Sequence, residues 1–270
     1  MPRNLTIFAN FFIDSEERFV RFKDSLRSMG EIDAETYVVN VRGRYAPECV
    51  NHLAHTVSRC SVFSVESRAG WFYDTSKIRH LIKTPYVLIW LEDHICMAPA
   101  AINRVVDEME SCGADILTHT FWCNGSFLNR YSAVRQTEGD QIKWFDHDIE
   151  NNTLVQNNEF GVRSYIVSYA SIISTSLFNR IIDDSGSERR WSRMTPFDFE
   201  KAPSDIHWLP LRRAIPKQEL FASIDDDLDT PGSSLHGRGL YPVRQERASY
   251  ANRQRHVVRL HQGLAGAARD

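Results

Sequence analysis

Two hydrophobic periods alternate along the first 120 residues. Short runs rich in apolar residues, typical of buried strands, occur at positions 5–13, 36–41, 61–65, 86–91 and 114–118. Between these runs apolar residues recur every three or four positions, which predicts helices at 14–30, near 50–57, at 75–82 and at 102–113. Strands that alternate with helices predict a parallel sheet, in which ligands bind beyond the carboxyl ends of the strands.

The second half of the chain is less regular. Residues 121–158 are polar, aromatic and typical of loops, whereas 164–174 predict a strand and 176–182 a short helix. One or two strands are predicted within 209–221. Residues 185–193 and 225–238 have loop composition, and the chain from 244 onward has a helical and basic pattern. No internal repeat or low-complexity linker divides the chain.

Composition narrows the functional classes. The chain has 270 residues, 42% of them hydrophobic, and a net charge of −3, so no overall positive field gathers nucleic acid. Its five cysteines form no CxxC pair and are odd in number, which favours a reducing compartment over a disulfide framework or structural zinc. We see no signal peptide and no apolar stretch of membrane-spanning length, and therefore expect a cytoplasmic protein.

The most apolar predicted strand ends in an acidic turn, Glu92-Asp93-His94. Three adjacent ionisable residues at a buried strand end are costly unless something compensates them. A divalent cation carrying a diphosphate is one such compensator, since carboxylates and phosphates are its natural ligands. The alternative is an ordinary turn whose charges point into water.

Two segments together resemble a known family, the GT-A fold glycosyltransferases, and most closely the family-2 type. The first is TIFANFF, with Asn10 where the family contacts the nucleotide, and the second is DTSKIRHLIKTPYVLIWLEDH, a helix and an apolar strand that lead into the acidic turn. The resemblance covers about residues 4–120. It implies a Rossmann-type α/β/α sandwich with a mainly parallel central sheet, and a nucleotide-diphosphate sugar as donor.

The resemblance also assigns roles to the acidic turn. Asp93 and Glu92 would bind the nucleotide sugar, and Asp93, His94 and a late histidine, His236, would bind a divalent metal, Mn²⁺ or Mg²⁺. The family has a run of aspartates where this chain has Glu-Asp-His. The identity of the metal, and whether a metal is needed, are therefore open.

Four further residues complete the predicted donor site. They are Arg42 after the second strand, Asp74 and Arg79 on the helix that follows the third strand, and Arg238 in the loop 225–238. By resemblance Asp74 lies near the base and Arg79 near the diphosphate, and Arg238 would offset phosphate charge. For each of them a solvated surface position is the alternative.

An inverting transferase also needs a carboxylate to accept the proton of the acceptor hydroxyl. Glu200 or Asp198, in the segment MTPFDFEKAPSD, fits the place of that base, and a helix cap is the alternative. We thus expect residues 1–120 to form the nucleotide-sugar-binding half and 121–243 the acceptor-binding and catalytic half of one domain. Residues 244–270 would form a basic helix or tail.

The sequence therefore predicts a sugar transfer from a nucleotide-diphosphate sugar to a saccharide or lipid-linked acceptor, with inversion, in bacterial surface polysaccharide or glycoconjugate synthesis. No nucleic-acid partner is expected, and the basic tail could touch the inner membrane. One rival is a nucleotidyltransferase, against which the glycine-free segment NFFIDSEER counts. The other is a degenerate, non-catalytic module of the same fold that binds a sugar or a partner.

Overall fold

The computed structural model describes residues 3–65, 70–117, 134–157, 171–183, 210–224 and 234–241. The strands are β1 (Leu5–Phe12), β2 (Thr36–Arg42), β3 (Cys60–Phe63), β4 (Tyr86–Ile89), β5 (His94–Cys96), β6 (Ile116–Leu117), β7 (Thr137–Glu138), β8 (Ile142–His147), β9 (Ile172–Ser174), β10 (Leu211–Pro216) and β11 (Phe221–Ser223). The helices are α1 (Glu16–Met29), α2 (Ala46–Thr56), α3 (Trp71–Ile78), α4 (Ile102–Cys112), α5 (Ile149–Asn157) and α6 (Thr175–Asp183), with short 3-10 turns at Arg79–Leu81 and Pro99–Ala101.

A nine-stranded central sheet has the order β3-β2-β1-β4-β9-β6-β10-β8-β7. The first four strands in this order are parallel neighbours. Beyond them only β9 and β8 run opposite to the other strands. The mainly parallel sheet predicted from the sequence is confirmed, and it brings the carboxyl ends of β1, β2 and β4 to one edge.

Helices cover both faces of this sheet. One buried cluster joins the sheet to α1, α2 and α4 through residues such as Phe22, Leu53 and Val105. A second cluster joins its other face to α3 and α6, for example through Trp71 and Phe178. The layers therefore form the α/β/α sandwich that the sequence predicts.

Local signals explain where the helices begin and end. The Ser15 hydroxyl accepts a hydrogen bond from the Arg18 backbone N–H at the start of α1, and Glu16 and Glu17 complement the helix dipole. Helix α4 ends at Gly113, whose φ of 68° lies in the left-handed region that favours glycine. Both ends agree with the sequence pattern.

Two predictions need correction. Residues 121–158 were expected to be loop-rich, yet their described part contains β7, β8 and α5. Strand β8 pairs along its length with β10, so a long-range partner decides its structure rather than local composition. Helix α3 begins at Trp71 instead of residue 75, because Trp71 packs edge-on against Phe8 of the sheet with ring centroids 6.2 Å apart.

A second, two-stranded sheet lies where β4 leaves the central sheet. Strand β5 pairs antiparallel with β11 in the register His94↔Ser223, Ile95↔Ala222 and Cys96↔Phe221. The turn between β4 and β5 therefore joins the two sheets. Among the residues described, no helix is both long and apolar enough to cross a membrane.

Candidate functional site

The carboxyl ends of β1 and β2 meet the start of α3 in a buried network of amides. The Asn10 Nδ2 group donates to the Trp71 carbonyl and to Thr75 Oγ1, each at 3.1 Å. The Asn10 Oδ1 atom accepts from Asn40 Nδ2 at 3.0 Å, and Asn40 also exchanges two hydrogen bonds with the Val65 backbone. Both polar atoms of the Asn10 side chain are thus bonded within the protein, and they hold the strand end against α3.

A buried ion pair lies beside this network. Arg42 Nη1 is 3.4 Å from Asp74 Oδ2, and the Asp74 side chain is fully buried. The Arg42 guanidinium also lies 5.7 Å from the centroid of the half-exposed Phe12 ring. Two predicted nucleotide-binding residues, Arg42 and Asp74, are therefore brought together with Asn10, and each contacts other parts of the protein.

The acidic turn lies at the same edge, beyond β4. The Asp93 side chain is 36% exposed, whereas the His94 side chain is buried with 8% exposure and its Nδ1 lies 2.8 Å from Asp93 Oδ1. The Ile224 backbone N–H donates to the Asp93 carbonyl at 2.7 Å. Asp93 is thus fixed through its backbone and its side chain, and that side chain is only partly buried.

The two carboxyls of the turn differ in acidity. Burial, and then the neighbouring Asp93 charge, raise the pKa of Glu92 to about 7, against the opposing influence of Arg18 and Arg21. Burial alone would also raise the pKa of Asp93, but the His94 imidazole and Arg21 hold it below its usual value. Asp93 is therefore the ionised member of the pair at neutral pH.

The loop that contains His236 is connected to the acidic turn by backbone hydrogen bonds of Ile224, the residue after β11. The His236 N–H donates to the Ile224 carbonyl at 3.0 Å, and the Ile224 N–H donates to Asp93. His236 Nε2 is buried, and no hydrogen-bond partner for it occurs among the described residues. The structure thus brings the backbone of His236 to the neighbourhood of Asp93, while a role of its side chain in metal binding stays a prediction.

Arg238 and Arg79 are both engaged in ion pairs. Arg238 forms a bidentate pair with Glu219, at 2.6 and 3.1 Å. Arg79 lies 2.6 Å from Asp183, at the far ends of α3 and α6. Because α3 rises about 1.5 Å per residue, Arg79 stands about 7 Å further along the helix than Asp74, away from the edge that carries the other predicted residues.

The predicted metal ligands do not form a preassembled cluster. Over the described ranges, no group of three or more His, Cys, Asp or Glu side chains is arranged to hold a metal ion. His94 is a poor candidate because its Nδ1 is bonded to Asp93 and its ring is buried. Asp93 fits a divalent cation, as an ionised carboxylate on a partly exposed side chain. The predicted bases, Glu200 and Asp198, lie outside the described residues.

Sequence reasoning missed the contribution of α1. Ser25 and Ser28 on this helix form hydrogen bonds to residues on both sides of the acidic turn. A signal exists in the sequence, since Ser25 lies between Phe22 and Leu26 on the apolar stripe, where a polar residue needs a buried partner.

Comparison with known proteins finds similarity in structure only. Neither protein-family models nor curated sequences match the chain. It is similar to residues 1–349 of TarS from S. aureus, at 11% identity and a TM-score of 0.48 over 81% of this chain and 59% of that one. The chain therefore spans about three fifths of that protein fragment.

Two other solved structures are similar to the chain. A mannosyltransferase from Pyrobaculum calidifontis, in complex with GDP-Man and Mn²⁺, matches at 10% identity and a TM-score of 0.44, over 67% of this chain and 47% of that one. A UDP-glucose pyrophosphorylase bound to UDP-glucose matches at 10% identity and a TM-score of 0.45, over 80% and 91% of the two chains.

Proposed function

We propose that the chain is a glycosyltransferase that moves a sugar from a nucleotide-diphosphate sugar to an acceptor hydroxyl. The observation that carries this proposal is the state of Asp93: an ionised carboxylate on a partly exposed side chain, held at the carboxyl edge of a parallel sheet. Such an edge is where α/β proteins bind nucleotides. A buried carboxylate, or one pointing away from that edge, would not support the proposal.

The donor's nucleoside would lie near the ends of β1 and β2, where Phe12 and Arg42 offer an aromatic face and a cation. Its diphosphate would lie toward Asp93. The bound nucleotides of the similar structures, UDP-glucose and GDP-Man, are of the class that this edge would accept. The panel of nucleoside diphosphates described below tests which base is bound.

A divalent cation would bind Asp93 together with the donor diphosphate, with His236 as the candidate second ligand. When bound, it would neutralise the charge that develops on the departing diphosphate. His94 would keep the Asp93 carboxylate ionised and oriented. Arg18 and Arg21 oppose the rise in the Glu92 pKa, because their positive charges lie near the same turn.

The proposed transfer is inverting, with Glu200 or Asp198 accepting the proton of the acceptor hydroxyl. The proposed biological setting is bacterial surface polysaccharide or glycoconjugate synthesis in the cytoplasm, with a lipid-linked or saccharide acceptor. The basic segment 244–270 would bring the protein to such an acceptor at the membrane. These finer assignments rest on the family resemblance of the sequence.

Thermal unfolding with UDP, GDP, ADP, CDP and dTDP, each with and without Mn²⁺, tests the donor class. We expect one nucleoside diphosphate to raise the Tm, and more so with Mn²⁺, and the matching nucleotide sugar to be hydrolysed slowly to the diphosphate and free sugar. Stabilisation by none of the five would favour the non-catalytic module. Formation of a nucleotide sugar from a nucleoside triphosphate and a sugar phosphate would instead identify a nucleotidyltransferase.

A further inference from the structure

The Ser25 hydroxyl connects the two sides of the acidic turn. It accepts a hydrogen bond from Trp90 Nε1 at 2.7 Å and donates one to the His94 carbonyl. The Leu91 carbonyl lies 3.3 Å from the same hydroxyl. Both hydrogen-bonding capacities of one buried side chain are thus used on the residues that flank Glu92 and Asp93.

A second serine of α1 extends this attachment. The Ser28 hydroxyl accepts from the Cys96 backbone N–H at 2.9 Å and donates to the Ser25 carbonyl at 3.0 Å. Residues three apart in a helix share a face, so Ser25 and Ser28 both face the crossing from β4 to β5. The path of the chain through Trp90, the turn and Cys96 is therefore bonded to a single helix face.

The chemistry of a mid-helix serine makes this arrangement informative. Serine hydroxyls within helices usually bond to the carbonyl of the preceding turn or to water. Ser25 is fully buried instead, and its donated bond goes to another element of the fold. Replacing Ser25 would be costly, because Trp90 Nε1 and the His94 carbonyl would lose a partner in the interior.

Aromatic side chains around Trp90 restrict the positions that the start of the acidic turn can take. The Trp90 ring is buried against Phe11, at a centroid distance of 4.8 Å, and against Phe22 of α1, at 6.0 Å. A rigid, buried indole bonded to Ser25 gives the start of the turn one position relative to α1. The bond from Ser25 to the His94 carbonyl fixes the end of the turn relative to the same helix, and the His94 imidazole holds the Asp93 carboxylate.

We propose that Ser25 is a positioning residue for the donor diphosphate, acting by holding the Trp90–His94 segment so that the Asp93 carboxylate faces the binding edge. This inference rests on the proposed function. It assigns to α1 a role in diphosphate recognition and predicts that nucleoside recognition, at the ends of β1 and β2, is independent of it.

The test compares Ser25→Ala with a matched control. Thr6→Val also removes a buried hydroxyl, since Thr6 Oγ1 lies 2.8 Å from Thr84 Oγ1, but it does so at the opposite end of β1. Titration calorimetry measures the affinity of each variant for UDP, GDP, ADP, CDP and dTDP with Mn²⁺, and for the corresponding nucleosides. Ser25→Cys, which keeps the size of the side chain with a weaker donor, serves as the conservative variant.

We expect Ser25→Ala to bind the preferred nucleoside diphosphate about tenfold more weakly, a loss of about 1.4 kcal/mol. Its affinity for the nucleoside should change less than about twofold. Ser25→Cys should be intermediate, and Thr6→Val should bind both ligands as the wild type does. Should Ser25→Ala not fold, Ser28→Ala is measured in its place, and we expect a selective loss of about threefold, because its bonds lie further from Asp93.

Two results would overturn the inference, and they are distinct. In the first, the wild type binds a nucleoside diphosphate, and the serine variants lose affinity for the diphosphate and the nucleoside equally or lose affinity for neither. Ser25 then has a structural role only. If the wild type binds none of the five diphosphates, the proposed function fails and the positioning role fails with it.

Discussion

The two groups of predicted donor-site residues lie at one sheet edge but differ in how the protein uses them. Asn10 and Asp74 are buried and Arg42 is largely buried, and all three contact other protein groups. Asp93 is fixed by His94 and Ile224 yet is still 36% exposed. The difference suggests that substitutions in the first group chiefly lower stability, whereas substitutions at Asp93 chiefly lower ligand affinity.

The largest effect is expected in the buried group. Arg42→Ala removes the cation beside the buried Asp74 carboxylate and should lower the free energy of unfolding by about 3 kcal/mol, the range seen when one partner of a buried ion pair is removed. Urea denaturation measures this change. Arg44→Ala is the control, since Arg44 is an exposed cation two residues away, and it should cost less than about 0.5 kcal/mol.

The double variant Arg42→Ala/Asp74→Asn sharpens the first comparison. Neutralising Asp74 should restore part of the lost stability, because no buried charge then lacks its cation. An Arg42→Ala protein as stable as the wild type would place Arg42 among the residues held for a ligand.

The next effect is expected at the acidic turn. Asp93→Asn preserves the size of the side chain and its bond to His94 but removes the charge, so affinity for the preferred nucleoside diphosphate with Mn²⁺ should fall about 100-fold, or about 2.7 kcal/mol. Titration calorimetry measures the affinity, and urea denaturation should show a smaller loss of stability, since the His94 imidazole and Arg21 no longer face a negative charge. Asp146→Asn, at an exposed aspartate paired with Arg212, should change neither quantity noticeably. Equal binding by Asp93→Asn and the wild type would contradict the proposed function.

His147 extends the comparison to the far half of the sheet. It is fully buried, neither ring nitrogen has a hydrogen-bond partner among the described residues, and burial, followed by the charge of Arg213, lowers its pKa to about 3. Between that value and the ordinary 6.5, the unfolded chain binds a proton that the folded chain does not. The free energy of unfolding should therefore fall by about 2 kcal/mol from pH 7.5 to pH 5 on account of this residue.

Urea denaturation at several pH values checks this prediction. His147→Phe removes the titrating group from the same strand position. The free energy of unfolding of this variant should therefore fall by about 2 kcal/mol less than that of the wild type between about pH 7.5 and pH 5. Identical pH slopes for the two proteins would show that His147 takes up its proton in the folded state as readily as in the unfolded chain.

The smallest effect concerns Arg238, which the sequence assigns to phosphate binding and the structure pairs with Glu219. Arg238→Gln and Glu219→Gln should each cost about 1.5 kcal/mol of stability and change nucleoside diphosphate affinity less than threefold. Urea denaturation and calorimetry separate the two quantities. A tenfold affinity loss confined to Arg238→Gln would restore the phosphate-binding role.

The periodic first half of the sequence predicted most of the fold. The strand and helix order from β1 to β4, helix α4, the caps at Ser15 and Gly113 and the buried strand before Glu92 follow from local patterns, whereas β5 was not predicted. Strand β8 was missed because it is stabilised by pairing with β10, which is distant in sequence. Hydrophobic periodicity describes single elements, whereas such pairings depend on the whole chain.

The candidate site was predictable at the level of position but not of partners. The acidic turn could be placed at a strand end from its spacing alone. That His94 would bond Asp93, that Asp74 would pair with Arg42 and that Ser25 would bond the turn are consequences of three-dimensional neighbours. Adjacency alone does not determine whether the side chains of Asp93 and His94 bond, and the other two contacts join residues far apart in sequence.

The pairing of β5 with β11 also bears on the order in which the protein folds during synthesis. Strand β5 has no partner in its small sheet until residues 221–223 have left the ribosome, and the Tyr241 hydroxyl bonds Asp24 of α1 later still. Domains generally fold as units once their chain is complete. The binding edge would therefore mature last, although its acidic residues are translated in the first half, and a fragment ending near residue 120 would lack the strand that secures them.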